Sequence, residues 1–249
     1  MHITQELILN AVIKEAAKNF DAPVLDQVIG AQMVGVKTIH SAGICSLVPA
    51  GTYPFFSDRL YNQKSLHDLA QGLKRQGTLE ASLALAGINA SLNREVPGPD
   101  IKAQELIMEL GRGRNVAVIG HFPFVRKIRN HFTNFWVLEK IPRTFDLPEE
   151  LMPDVLPRAD LAAITATTLL NGTLAGILNL CSRQCIKIIM GPSTPLASCL
   201  FKMGADYLAG AGIIDYEKVF AGIRKNLCFR RLEGVQNFIA HAQPAGKER

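Results

Sequence analysis

Disulfide chemistry is the first thing this sequence is short of. Its cysteines number five, an odd count scattered over 249 residues, so the spacing holds no paired framework. Reduced thiols in a cytoplasmic protein are the expectation. Strong charge is also missing. The formal net charge is +5, and the densest basic cluster, Arg126-Lys127-Ile128-Arg129, is shorter than the aromatic-flanked basic stripe of nucleic-acid binding. Nucleic acid is not an expected partner; an anionic small molecule suits the balance better. No basic segment leading into a long apolar core is present near Met1, so no secretory signal is expected. The uncharged span Leu161–Leu180 has membrane length, but Thr165, Thr167, Thr168, Asn171, Gly172, Thr173, Gly176 and Asn179 would burden it in lipid. It reads as a buried strand, a polar loop and a helix, with no membrane partner. Signature motifs are absent too: no phosphate-loop lysine, no H-x-x-x-H, and no G-x-G-x-x-G behind a strand.

What is present is enough apolar residue to build a sizeable core, 48% of the chain against 20% charged. Ile3, Leu7, Ile8, Ala11, Val12, Ala16 and Phe20 recur at helical steps and predict a first helix ending before Asp21. Val24–Ile29, Met33–Thr38 and Ile44–Val48 then read as short strands, the last closed at 49–51. Ser65 with Asp68 forms a capping box for a helix to about Lys74, and Thr78 caps another through Leu92. The polar, proline-containing stretch 93–100 reads as a linker, with Asp100 capping a helix to about Leu110. Beyond it, Val116–Gly120, Phe135–Glu139, Leu161–Thr165, Ile186–Met190 and Tyr207–Gly210 are apolar runs of strand length, and Asp215 caps a helix from Tyr216. The expected class is α/β: a Rossmann-like parallel sheet domain over 98–249 preceded by a smaller α+β domain over 1–97.

Parallel strands joined by right-handed crossovers line up their C-terminal ends along one edge, where open α/β sheets bind ligands. Those ends are Gly120-His121-Phe122-Pro123, Glu139 with the residues after it, Thr165-Ala166-Thr167-Thr168, and Gly191-Pro192-Ser193-Thr194. Thr194 reads as the N-cap of a helix with Pro195 at its first position. Glu139 falls about twenty residues after Gly120, where Rossmann proteins place the ribose-binding carboxylate. The turn at Gly120 is nonetheless Gly-His-Phe-Pro, crowded by Phe122 and Pro123, so a conventional dinucleotide is not expected. His121 is the best-placed histidine for proton transfer or metal ligation. Cys181 and Cys185 have the spacing of a soft-metal pair, but no third donor lies close in sequence, and buried free thiols are the simpler reading.

The runs Asn115–Phe124, Glu139–Pro142, Ile164–Leu174, Gly191–Leu196 and Gly204–Gly210, in that order, resemble the family of putative heavy-metal chelation proteins over about residues 101–235. The strand at Val28–Gly30, Gly43 with the strand after it, and Ala86–Ala90 are similar to that family's usual N-terminal partner domain. The resemblance implies an enolase-N-terminal-like domain packed on a Rossmann-like domain, with a site in the cleft between them. It also implies a divalent heavy metal as cofactor and chemistry on metals or pterin- and corrin-type chelates.

The expected protein therefore binds an anionic or planar small molecule between its domains. The expected contacts are Gly120, His121, Phe122, Pro123, Glu139, Thr165, Thr167, Thr168, Asn171, Gly191, Pro192, Ser193 and Thr194, with Asn89 facing from the first domain. Amides at Gly191–Thr194 would hold an anionic group, Glu139 a hydroxyl or a cation, and His121 would move a proton. Two alternatives stand beside this: a nucleotide- or S-adenosylmethionine-type binding enzyme, and a non-catalytic metal carrier. A homo-oligomer is expected on general frequency alone.

Overall fold

The structure, a computed structural model, describes residues 2–19, 22–48, 65–96 and 98–242. The expected helix end at Phe20 and Asp21, the strand end at 49–51 and the boundary residue 97 lie outside them. The N-terminal unit comprises α1 (Gln5–Ala16), strands β1 (Val24–Ile29), β2 (Met33–Thr38) and β3 (Ala42–Ser46), then α2 (Leu66–Gln71) and α3 (Leu79–Leu92). The three strands form an antiparallel meander in sequence order.

Thr4, Ser65 and Thr78 each accept a backbone N–H of the first turn of their helices, which fixes where α1, α2 and α3 start. α3 is buried on all sides apart from Glu80 and Leu92, which is why its apolar residues show no single face. β3 begins two residues earlier than the expected Ile44. It includes Gly43, whose missing side chain lets the strand lie directly on α3: a Cβ there would overlap the Ala86 carbonyl and the Ala90 amide.

The second unit contains α4 (Ala103–Gly111), β4 (Asn115–Ile119), α5 (Val125–Ile128), β5 (Asn134–Glu139), β6 (Leu147–Pro148), α6 (Met152–Val155) and β7 (Leu161–Thr165). It continues through α7 (Thr168–Asn171), α8 (Leu174–Leu180), β8 (Ile186–Met190), α9 (Ser198–Lys202), β9 (Tyr207–Ile213), α10 (Tyr216–Arg224) and β10 (Val235–His241). These strands form one sheet in the order β10-β9-β8-β7-β4-β5-β6, parallel except for β10. The chain runs outward from β4 to β5 and β6, then returns to the other side of β4 with β7. The ends of β4 and β7 are therefore the switch point of the sheet. Among the described residues, no helix is long and apolar enough to cross a membrane.

Three local expectations are overturned. α4 starts at Ala103 without a side-chain cap, because Asp100 instead accepts the backbone and side-chain N–H groups of Asn237 at 2.9 and 2.7 Å and ties the chain to β10. Thr194 caps nothing. α9 begins at Ser198, and its cap comes from a distant carboxylate: Glu15 of α1 accepts the Ser198 and Cys199 amides at 2.6 and 2.9 Å.

The polar stretch 93–100 is also more than a linker. Asn93 is buried; its Nδ2 donates to the Thr194 and Ala211 carbonyls, both at 3.0 Å, and its Oδ1 accepts the Leu196 amide at 2.8 Å. One continuous apolar core then joins residues of α1, β2, α2 and α3 to residues of β4, β7, β8 and α8. The two sheets consequently share buried surface across their junction.

Candidate functional site

At the switch point the backbone turns sharply after each of two strands. Gly120 follows β4 with φ of 99° and Gly191 follows β8 with φ of 111°, a region that strains any residue with a Cβ. At Gly120 a Cβ would also press on Thr165. These turns open a cavity of about 270 Å³ over the strand ends.

Its lining includes Gly120, His121, Phe122, Glu139, Thr165, Thr167, Thr168, Asn171, Gly191, Pro192 and Ser193, so eleven expected residues meet there. Pro123 lines a neighbouring cavity instead. Asn89 and Thr194 line neither. Asn89 lies behind the wall, with Nδ2 donating to the Ile44 carbonyl at 2.9 Å and the Pro192 carbonyl at 3.5 Å. Thr194 is fully buried, because the chain after Ser193 dives between the two sheets to meet Asn93. The N-terminal unit reaches the cavity through Ser46, whose amide donates to Ser193 Oγ at 2.9 Å. Cys45 donates to the same oxygen at 3.3 Å; burial pushes its thiol up to about 12, so it stays protonated.

The histidine has a partner that its sequence neighbourhood does not reveal. His121 Nδ1 lies 2.8 Å from Asp146 Oδ2, with 10% of the His121 side chain and 3% of the Asp146 side chain exposed, so solvent screens the pair weakly. Asp146 sits in a tight turn, its amide donating to the Arg143 carbonyl and its Oδ2 accepting the Arg143 amide. Phe145, just before it, has φ of 76°. For an aromatic residue that conformation costs about 1–3 kcal/mol, the kind of strain that clusters at sites where one side chain must be aimed.

Glu139 braces the same corner. Its Oε2 accepts the His121 amide at 2.7 Å and its Oε1 the Lys140 amide at 2.9 Å. Both carboxylate oxygens thus hold backbone, the reverse of a carboxylate left free for a ribose. On the opposite wall Thr165 Oγ1 and Thr167 Oγ1 are 2.9 Å apart, and Thr168 Oγ1 donates to the Thr165 carbonyl at 2.6 Å. Asn171 Oδ1 accepts from the Thr173 amide and hydroxyl, while its Nδ2 has no partner among the described residues. Lys140, Glu149 and Met152 line it too; Lys140 belongs to the strand end read from the sequence but not to the expected contacts, and sequence reasoning missed Glu149 and Met152 altogether. They lie in the crossover from β5 to β7, a segment without periodicity that passes over the cavity.

Comparison with known proteins then places the chain. Residues 102–240 match the family DUF364 and residues 11–92 match DUF4213, each described as putative heavy-metal chelation. This chain belongs to that family. The DUF364 chain is similar to a family member of unknown function from Desulfitobacterium hafniense DCB-2, whose crystal structure superposes with a TM-score of 0.83 at 25% identity over 94% of this chain and 98% of that one. A DUF364-family protein of Pyrococcus horikoshii, also of unknown function, shares the fold with a TM-score of 0.78 at 22% identity, covering 94% of this chain and 100% of the other. The uncharacterized protein MJ0500 of Methanocaldococcus jannaschii is 31% identical over 152 residues, 56% of this chain and 57% of that protein's length.

The family description raises a metal, and the donors can be tested against it. Among the described residues no group of three or more His, Cys, Asp or Glu side chains converges as a metal site would need. In the cavity the hydroxyls and the amide outnumber the one imidazole, Glu139 is engaged by two amides, and the nearby Cys45 thiol is protonated. This donor set does not fit a resident soft metal ion.

Proposed function

We propose that the crevice over β4, β5, β7 and β8 binds a small organic ligand rich in oxygen and that His121 moves a proton at it. The observation that carries this reading is the 2.8 Å contact between His121 and Asp146 at the edge of the cavity. A carboxylate on Nδ1 orients the ring and leaves Nε2 as the working nitrogen, the division of labour used in general acid–base catalysis. Thr165, Thr167, the free Asn171 amide and the Gly191 turn supply neutral hydrogen bonds that would orient hydroxyl or carbonyl groups of the ligand.

Membership of a heavy-metal chelation family fits this picture if the metal is cargo. A metal already wrapped in an organic chelate, of the pterin or corrin type, satisfies its own coordination and asks the protein only for hydrogen bonds and shape. The cavity's donors suit that role better than they suit a bare ion. Mass spectrometry and metal analysis on one purified sample test it. The expected result is an organic anion, with any metal in fixed ratio to it; a stoichiometric metal without an organic molecule would overturn the reading. Once a substrate is in hand, His121→Gln should lower turnover by about 10²–10⁴-fold. Undiminished turnover would remove His121 from the mechanism.

A further inference from the structure

A second cavity, of about 390 Å³, opens on the far side of the Gly191-Pro192 turn. Phe122, Met190, Gly191 and Pro192 belong to the walls of both cavities, so the two stand back to back across one turn. Their chemistry differs. The first cavity carries Glu139 and Glu149 beside His121 and Lys140, a mixture of signs. The second is lined by Lys102, Lys127 and Arg230 and, among the described residues, by no carboxylate. Among the described residues none of these three cations has an ion-pair partner. The acid beside Lys102, Asp100, accepts the two N–H groups of Asn237, and those bonds, with a smaller contribution from the Lys102 charge, hold its carboxyl below the usual range.

Three like charges around a concave space repel one another and raise the local potential, and low-dielectric walls focus that field. The walls here are aromatic: Phe122 and Phe124 stack with centroids 5.4 Å apart at 19°, and Phe229 lines the cavity beyond them. An anion attached to a flat apolar body would meet both features at once. A bare ion would use only the charges, and a neutral ring only the walls.

We propose that this second cavity is an anion site of its own, holding the phosphate or carboxylate of a small planar molecule. The site stands independently of the crevice reading above, and its test fails separately. Phenyl phosphate, benzoate and phenol are probes small enough for a single cavity, so isothermal titration with each, repeated on variants of either cavity, reads which one is filled. Phenyl phosphate or benzoate should bind, and the tighter of the two names the anion; phenol should bind at least about tenfold more weakly, as the loss of charge-assisted hydrogen bonds requires. Lys127 and Arg230 are exposed, so the double variant Lys127→Gln/Arg230→Gln keeps the fold. It should weaken anion binding by about tenfold or more, while His121→Gln leaves it unchanged.

Binding of phenol equal to that of the anions, no binding of any probe, or binding indifferent to the double variant would each overturn the site. Anion binding lost in His121→Gln but kept in the double variant would overturn it too. That last outcome would put the anion in the first cavity and leave the crevice reading standing.

Discussion

Asp146 Oδ2 accepts from two directions, from the Arg143 amide at 3.0 Å and from His121 Nδ1 at 2.8 Å. One carboxylate therefore closes the turn that carries it and fixes the tautomer of the ring it touches. With Nδ1 bearing the proton, Nε2 of the neutral imidazole is the acceptor. Asp146→Ala removes that preference, and a free imidazole favours the proton on Nε2. Nitrogen-15 NMR of the His121 ring should show Nδ1–H in the native protein and a shift toward Nε2–H in the variant. Turnover should fall about 10- to 100-fold, as when the orienting partner of a working histidine is lost. An unchanged tautomer would show that the ring is held by something other than Asp146.

Glu15 gives a prediction with a sign in pH. Burial tends to raise its carboxyl, but the bonds from the Cys199 and Ser198 amides outweigh burial and bring it below the ordinary value of 4.5. A carboxylate whose folded value is depressed contributes stability that is complete above its unfolded value and is lost as pH falls through the folded one. The native protein should lose stability between about pH 5 and pH 3 more steeply than Glu15→Gln. At pH 7 the variant should be less stable by about 1 kcal/mol, the worth of a charged helix cap. Denaturant midpoints at the two pH values check both; parallel pH profiles would show that the cap does not depend on the charge.

The parts of this fold that are legible in the sequence are those whose physics is local. β4, β7 and β8 lie inside a parallel sheet and are buried on both faces, so each reads as an apolar run of strand length, broken only by Lys187 in β8. Asp215 accepts the Lys218 amide three residues on, a bond written in four consecutive residues. What escapes is set by partners far along the chain. β10, Val-Gln-Asn-Phe-Ile-Ala-His, is a mixed antiparallel edge strand, and nothing in it marks the pairing with β9. Asp146 meets His121 across 25 residues of aperiodic chain. Cys181 and Cys185 were legible as thiols, but not that their mutual hydrogen bond lowers Cys185 and, with burial, raises Cys181.

Asn93 shows how far a polar residue can be from a linker. Its side chain satisfies two carbonyls and one amide that belong to Thr194, Ala211 and Leu196, all on the opposite unit. Asn93→Ala strands these three backbone groups in a buried place, where each unmet bond costs about 1–3 kcal/mol. A loss on the order of 3 kcal/mol is expected in urea unfolding, far more than an exposed linker residue would give. Asn93→Asp should be at least as damaging, because a carboxylate keeps the acceptor for Leu196 but points a negative oxygen at two carbonyls. A loss under about 0.5 kcal/mol in the alanine variant would mean that the junction does not depend on this side chain.

Thr194 discriminates between two accounts of one turn. A threonine before proline at the start of a helical run has the look of an N-cap, and removing such a cap costs about 1 kcal/mol. The structure puts it elsewhere: its side chain is fully buried, and Oγ1 has no hydrogen-bond partner among the described residues. A buried hydroxyl without a partner carries its desolvation penalty uncompensated, about 1–3 kcal/mol. Thr194→Val keeps the shape and replaces the hydroxyl by a methyl group, so it should stabilise the protein by about 1 kcal/mol and raise the Tm by about 2–4 °C for a chain of this size. The two accounts thus differ in sign. A Tm lowered by a similar amount would mean that Oγ1 makes a bond in the folded protein, to a buried water or to the backbone of the turn that separates the two cavities.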